Sequence, residues 1–220
     1  MAEVDAACAG GADRIELCVG LDRDGLTPPC ELVAAARDRC RVGLHVLLRC
    51  RPGTFVYAGA EVEAMAASLD GARALGIDGV ALGCLTSDGR IDMAATGRLI
   101  EAARPLSVTF HRAFDCVRGD GVPDLRRLGV DRVLTSGGAT TAEAGIERLR
   151  GLAGQGVAVI AAGSIRAYNA AAIVAATGVS EIHAAVGRLT AERAPEHLAQ
   201  AVRALRLAAN GLGPAPAGRP

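Results

Sequence analysis

The chain has 220 residues, half of them apolar, and 24 basic side chains balance 24 acidic ones. That length can bury one sizeable core, and the charge balance offers nucleic acid or an anionic membrane surface no electrostatic foothold. Every basic residue is Arg, so no lysine amine within these residues can support Schiff-base chemistry. With three Phe, two Tyr and no Trp, the core must come from Leu, Val, Ile and Ala, a mix suited to helices on a parallel sheet.

In chain order, a helical pattern over residues 4–9 ends at Gly10-Gly11 and runs into a strand over 14–18. A helix over 29–38 and a strand over 43–49 follow. The clearest helix is 61–75, where Val62, Met65, Ala66, Leu69, Ala72 and Leu75 keep the helical period and Gly76 stands at the C-cap. Next come a strand over 79–83, a helix over 93–103 capped by Asp92, a strand over 107–112 and a helix over 122–128. The series closes with a strand over 132–135, a helix over 142–153 capped by Thr140, a strand over 158–161, a helix over 167–176, a strand over 181–186 and a helix over 191–207. One domain over 1–208 is expected, with residues 209–220, rich in Gly and Pro, as a disordered tail.

Eight helices and seven strands make the count one strand short of a closed (β/α) barrel. A weak repeat places the gap. Gly11-Ala12-Asp13, Gly76-Ile77-Asp78, Gly129-Val130-Asp131 and Gly178-Val179-Ser180 each end a helix and turn the chain into every second strand. In an eight-stranded barrel these precede strands two, four, six and eight. The expected fold is therefore α/β, a TIM-type (β/α)8 barrel whose first strand lies before Met1. A seven-stranded doubly wound sheet fits less well, because the repeat spans two units and no Gly-rich dinucleotide fingerprint is present.

The residues at the start, Met1-Ala2-Glu3-Val4-Asp5, lack the basic and apolar regions of a signal peptide, and no apolar run reaches the length of a membrane span. Seven cysteines without CxxC pairs do not form a disulfide framework. A cytoplasmic protein is expected, with no nucleic acid and no membrane as partner and a homo-oligomer left open.

Barrel chemistry sits at the C-terminal ends of the strands. There, Thr109-Phe110-His111-Arg112-Ala113-Phe114-Asp115 offers His111 as a general base, with Arg112 or Asp115 to orient base or substrate. Glu16 and Cys18 share a face of the first strand, and Arg49 and Arg51 end the next. Two readings stay open: a structural Glu–Arg pair, or a Glu16 base beside an arginine that clamps a carboxylate or phosphate. Thr135-Ser136-Gly137 and Gly163 follow two late strands, where exposed backbone N–H groups can hold an anion. His183 shares a face with Glu181. Cys18, Cys50, Cys84 and Cys116 fall at or just past strand ends and can converge on a soft Cu(I) ion, although cysteine is also an ordinary small core residue.

These same segments carry a family resemblance. The run from Gly10 to Cys18, Thr27-Pro28, Arg49 with Arg51 and Phe55, the run from Val108 to Asp115, Asp131 to Gly137, and Glu181 with His183 resemble CutC, a family named for copper homeostasis. The resemblance implies a cytoplasmic (β/α) barrel, a role in copper handling and Cys18 as a copper-binding position. It also implies a short cysteine-bearing strand ahead of the first helix. The chain departs from the family pattern at Cys50-Arg51-Pro52-Gly53-Thr54, at Ala161-Ala162-Gly163-Ser164 and at Ala185. Two functions follow: copper homeostasis through weak or indirect Cu(I) binding, or an enzyme acting on a small anionic metabolite. In the second, Glu16, His111 and Asp115 serve catalysis and Arg49, Arg51, Arg112, Thr135, Ser136, Gly137, Gly163 and His183 serve binding.

Overall fold

The computed structural model describes residues 1–191 and 194–211. The expected tail therefore lies, from residue 212 onward, outside the described residues. Seven strands alternate with helices in chain order: β1 (Arg14–Leu17), β2 (Gly43–Leu47), β3 (Gly79–Leu82), β4 (Ser107–Phe110), β5 (Arg132–Thr135), β6 (Ala158–Ala161) and β7 (Glu181–Ile182). The helices are α1 (Ala2–Gly10), α2 (Cys30–Arg39), α3 (Gly59–Ala74), α4 (Met93–Ala103), α5 (Val122–Leu128), α6 (Ile146–Leu152), α7 (Ala167–Thr177) and α8 (Pro195–Ala209). The chain forms two compact units, one over Arg14–Val133 and one over Met1–Asp13 together with the residues from Leu134 onward.

In the first unit β1 to β5 pair in sequence, each parallel to the next. The register sorts the side chains into two faces. Leu17, Val46, Val80 and Val108 are aligned, as are Leu82, Phe110 and Val133, and all are buried. This face meets the helices: Val46 and Leu48 line an apolar cavity of about 180 Å3 together with Val33 of α2 and Leu69 and Ala72 of α3. The other face carries Glu16, His45, Gly79 and Ser107 in one row and Leu47, Ala81, Thr109 and Arg132 in the next. By alternation Arg49, Gly83 and His111 continue it past the strand ends.

The alternate-strand repeat has a physical basis. Gly11, Gly76, Gly129 and Gly178 all adopt positive φ, between 67° and 85°, as helix-ending residues. The aspartate two residues on then clasps the preceding strand from both sides. Asp78 N–H donates to Leu44 O while Leu44 N–H donates to Asp78 Oδ2; Asp131 N–H donates to Val108 O while Val108 N–H donates to Asp131 Oδ2. Each clasp fixes where a strand begins, and so fixes the register.

In the second unit β6 and β7 pair in parallel, and α1 lies against α8. The approach is close at Gly10, where a methyl group would sit 2.5 Å from Val202 Cβ and 2.7 Å from Ala199 O. Arg206 of α8 ties the two helices by donating to Gly11 O and pairing with Asp13 at 2.9 Å.

Two expectations need correction. The helix read over 142–153 is only Ile146–Leu152, and Thr140 does not cap it. A methyl group at Gly145 would fall 1.8 Å from Ser136 O, so residues 137–145 are folded tightly onto the end of β5 and cannot extend the helix. Alanine, abundant there, reads as helical without opposing a turn. The second correction is strand length. β2, β4 and β7 stop before residues 49, 112 and 186, although single backbone bonds from Leu48, His111 and His183 to the neighbouring strand continue just past their ends. Asp92, by contrast, does cap α4, accepting from Ala95 N–H at 2.9 Å.

Asp131→Ala should remove a clasp whose oxygen takes both the Val108 N–H and the Ser107 hydroxyl. A loss of roughly 1–3 kcal/mol in urea unfolding is expected, since a buried backbone donor is orphaned. A change within the noise of a surface substitution would show that the clasp does not set the register.

Candidate active site at the ends of the first strands

The site begins with Arg49, just past β2 and 4% exposed. One terminal nitrogen donates to Arg23 O at 3.0 Å and Gly25 O at 3.1 Å, and the other to Gly53 O at 3.0 Å. One cation thus gathers the loop after β1 and the loop after β2. Its guanidinium carbon lies 5.0 Å from the centre of the Phe55 ring, a cation–π contact. Its Nε is buried without a partner, and none of its hydrogen bonds is to a carboxylate. The expected Glu16–Arg pair is therefore absent among the described residues: Arg49 holds carbonyls, and Arg51 pairs with Glu61 of α3.

Arg51 is fully engaged. It reaches both oxygens of Glu61 and the carbonyls of Thr54 and Val56. Its hydrogen bonds hold the Glu61 carboxyl below its ordinary value, helped by the Ala58 N–H. Glu61 so starts α3 and locks the loop that carries Phe55 and Tyr57. Arg51 also lies 5.1 Å from the Tyr57 ring centre.

His111 follows β4 and is 4% exposed. Glycine makes its place: a methyl group at Gly83 would lie 2.9 Å from His111 Nδ1. The same device serves His45, whose ring would be 2.4 Å from a methyl at Gly79. The Phe55 ring closes over His111 at 5.0 Å between centres. Burial, reinforced by the Arg49 charge, pushes the His111 pKa down to about 3, so the imidazole is neutral at pH 7. Its Nδ1 accepts from Ala113 N–H at 3.3 Å. The single proton of the neutral ring is thereby assigned to Nε2, and this atom is buried without a partner among the described residues. The sequence suggested a base; the geometry presents a donor.

Tyr57 brings a third such group. Its hydroxyl is buried within electrostatic reach of Arg49, yet no partner meets hydrogen-bond geometry. Burial pushes its pKa up to about 12, so the phenol keeps its proton. The Tyr57 hydroxyl, with Glu61 and His45, escaped the sequence reading. The one available signal was the scarcity of tyrosine, placed six residues past a strand-end arginine.

Arg112 donates to Asp115 at 2.8 Å, and neither His111 nitrogen is hydrogen-bonded to this carboxylate, since Nδ1 accepts from Ala113 and Nε2 has no partner among the described residues. Glu16, on the same sheet face, is half-buried and has no hydrogen bond or ion pair among the described residues. In the second unit, Thr135 and Ser136 are fully buried. The Thr135 hydroxyl takes the Gly137 N–H, and Gly163 O takes the Ala142 N–H. His183 N–H donates to Ala161 O in the ladder direction.

The thiols do not assemble as a copper cage. Cys50 and Cys116 are exposed, Cys84 is buried and Cys18 is intermediate. Burial raises the Cys84 pKa to about 12, and burial together with the Glu61 charge raises that of Cys50, which disfavours the ligating thiolate. Among the described residues, no group of three or more His, Cys, Asp or Glu is gathered as a metal ion would require.

Strand–helix alternation with polar groups at strand ends defines a TIM-type (β/α) protein, and solved structures agree. A crystal structure of CutC from Streptococcus agalactiae, named for copper homeostasis, aligns with TM-score 0.74 and 29% identity over 78% of this chain and 87% of that one. A thiamine phosphate pyrophosphorylase from Pyrococcus furiosus aligns at TM-score 0.64 and 21% identity over 96% of this chain and 89% of that one, which speaks for the fold alone. The chain belongs to the CutC family, whose model matches residues 1–188. CutC of Chromobacterium violaceum is 42% identical over 84% of this chain and 76% of that protein; CutC of Bacteroides thetaiotaomicron is 43% identical over 81% and 74%.

The neutral His111 makes a pH prediction. Unfolded, it titrates near the ordinary value of about 6.5; folded, near 3. The unfolded state therefore binds the extra proton between those values. Stability from this group is complete above the unfolded pKa and falls with acid, by at most about 1.4 kcal/mol per pH unit. Urea unfolding from pH 7 to pH 4 should show a shallower acid loss in His111→Gln than in the parent. Parallel curves would mean that His111 is not buried neutral.

Proposed function

We propose that this CutC-family protein acts on a small anionic metabolite at the ends of β2 to β4, with His111 donating a hydrogen bond to it. The observation that carries this reading is Arg49. A guanidinium 4% exposed and held by carbonyls and a ring, with no carboxylate partner among the described residues, is a buried charge left uncompensated. Burying a charge costs several kcal/mol unless an opposite charge answers it. A bound anion supplies that charge. Beside it a neutral His111 with an unengaged Nε2 is suited to polarising a substrate oxygen, and the low-dielectric surroundings strengthen such a bond.

Copper handling, the role for which the Streptococcus relative is named, would rest in this chain on Cys18 with fewer than three gathered ligands among the described residues. The anionic-metabolite reading needs no such assembly. That no disulfide joins the seven cysteines supports a reducing, cytoplasmic setting. No helix among the described residues is long and apolar enough to cross a membrane.

A melting-temperature screen of small anionic metabolites tests the reading. At least one should raise the melting temperature of the parent by several degrees and of His111→Gln by much less. A Cu(I) titration runs beside it. No shift with any anion, together with stoichiometric Cu(I) binding lost in Cys18→Ser, would overturn the proposal in favour of copper.

A further inference from the structure

Three polar groups of the first unit are buried with no hydrogen-bond partner among the described residues: Arg49 Nε–H, His111 Nε2–H and the Tyr57 hydroxyl. Arg49 links them. Its charge acts on both His111 and Tyr57, and both it and His111 rest on the Phe55 ring at 5.0 Å. An orphaned buried donor costs about 1–3 kcal/mol, and three neighbouring ones share one remedy, an acceptor oxygen set among them.

The inventory also limits what that acceptor can be. Of the three arginines that close β2 and β4, Arg49 alone has no carboxylate partner among the described residues. Arg51 is paired with Glu61 and Arg112 with Asp115. The remaining groups are a neutral N–H and a neutral hydroxyl. A dianionic phosphate would stay half-neutralised in a buried position, whereas a planar monoanion matches one cation and two neutral donors. The aromatic wall formed by Phe55 favours a flat group as well.

Resting on the anion-binding reading above, we infer that the site is built for the planar carboxylate of a small monocarboxylic acid, held by Arg49, His111 and Tyr57, and not for a phosphate. Tyr57 is then a substrate-binding residue, a role that neither the sequence nor the family name assigns.

Oxamate and glycolate serve as planar carboxylate probes and inorganic phosphate as the competitor. Binding is read from melting temperature and from the 15N resonance of His111 Nε2. The carboxylates should raise the melting temperature and move the resonance, phosphate should do so more weakly, and Tyr57→Phe should weaken carboxylate binding about tenfold or more. Tyr57→Phe keeps the ring and leaves the melting temperature of the unliganded protein as the check on folding. Phosphate binding more tightly than either carboxylate at the same resonance would overturn the carboxylate inference and leave the anion reading standing. Undiminished carboxylate binding in Tyr57→Phe would remove Tyr57 from the site. No perturbation of His111 by any of the three anions would overturn inference and reading together.

Discussion

The first unit is organised around a charge that water cannot reach. The Arg49 guanidinium gathers carbonyls from Arg23, Gly25 and Gly53. In doing so it fixes two loops against the end of β2. The second of these loops delivers Phe55 to the face of His111 and carries the Tyr57 hydroxyl into the interior. Neutrality of His111 follows from that enclosure, since burial is the larger cause of its depressed pKa and the Arg49 charge adds to it. A histidine that must remain neutral, and whose Nδ1 is already an acceptor, is left with a donor at Nε2. The chemistry of the site is set by this sequence of constraints.

The same economy shows in the glycines at the start of β3 and just past its end. Gly79 and Gly83 lie on one face of the sheet, and each leaves room for an imidazole from a flanking strand. A side chain at either position would meet a ring at under 3 Å. Two arginines separated by one residue then divide the labour. Arg49 has no carboxylate partner among the described residues, while Arg51 is neutralised by Glu61, which pins the loop.

Much of the fold was legible because it rests on local chemistry. The Gly-X-Asp repeat marks helix ends at positive φ and the clasps of Asp78 and Asp131, both of which are sequence-local devices. Asp92 is legible for the same reason. The start of α6 was not, because the turns of residues 137–145 are imposed by contact with Ser136, which alanine-rich sequence neither favours nor forbids. At the site, His111 and Arg49 announced themselves as polar residues closing apolar strands. Their roles did not. Whether an arginine binds substrate, carbonyls or a glutamate ten residues away depends on loop paths that have no period to read. Tyr57, in a Gly- and Pro-containing stretch, had no pattern behind it at all.

His111 is a buried neutral imidazole with its proton on Nε2, beside an Arg49 that has no carboxylate partner among the described residues. Side-chain 15N NMR of His111 across pH 7 to 5 measures this directly. The account predicts one unchanging pair of resonances, a protonated Nε2 and an unprotonated, hydrogen-bonded Nδ1, throughout that range. An imidazolium forming near the ordinary histidine value, or a proton residing on Nδ1, would contradict it.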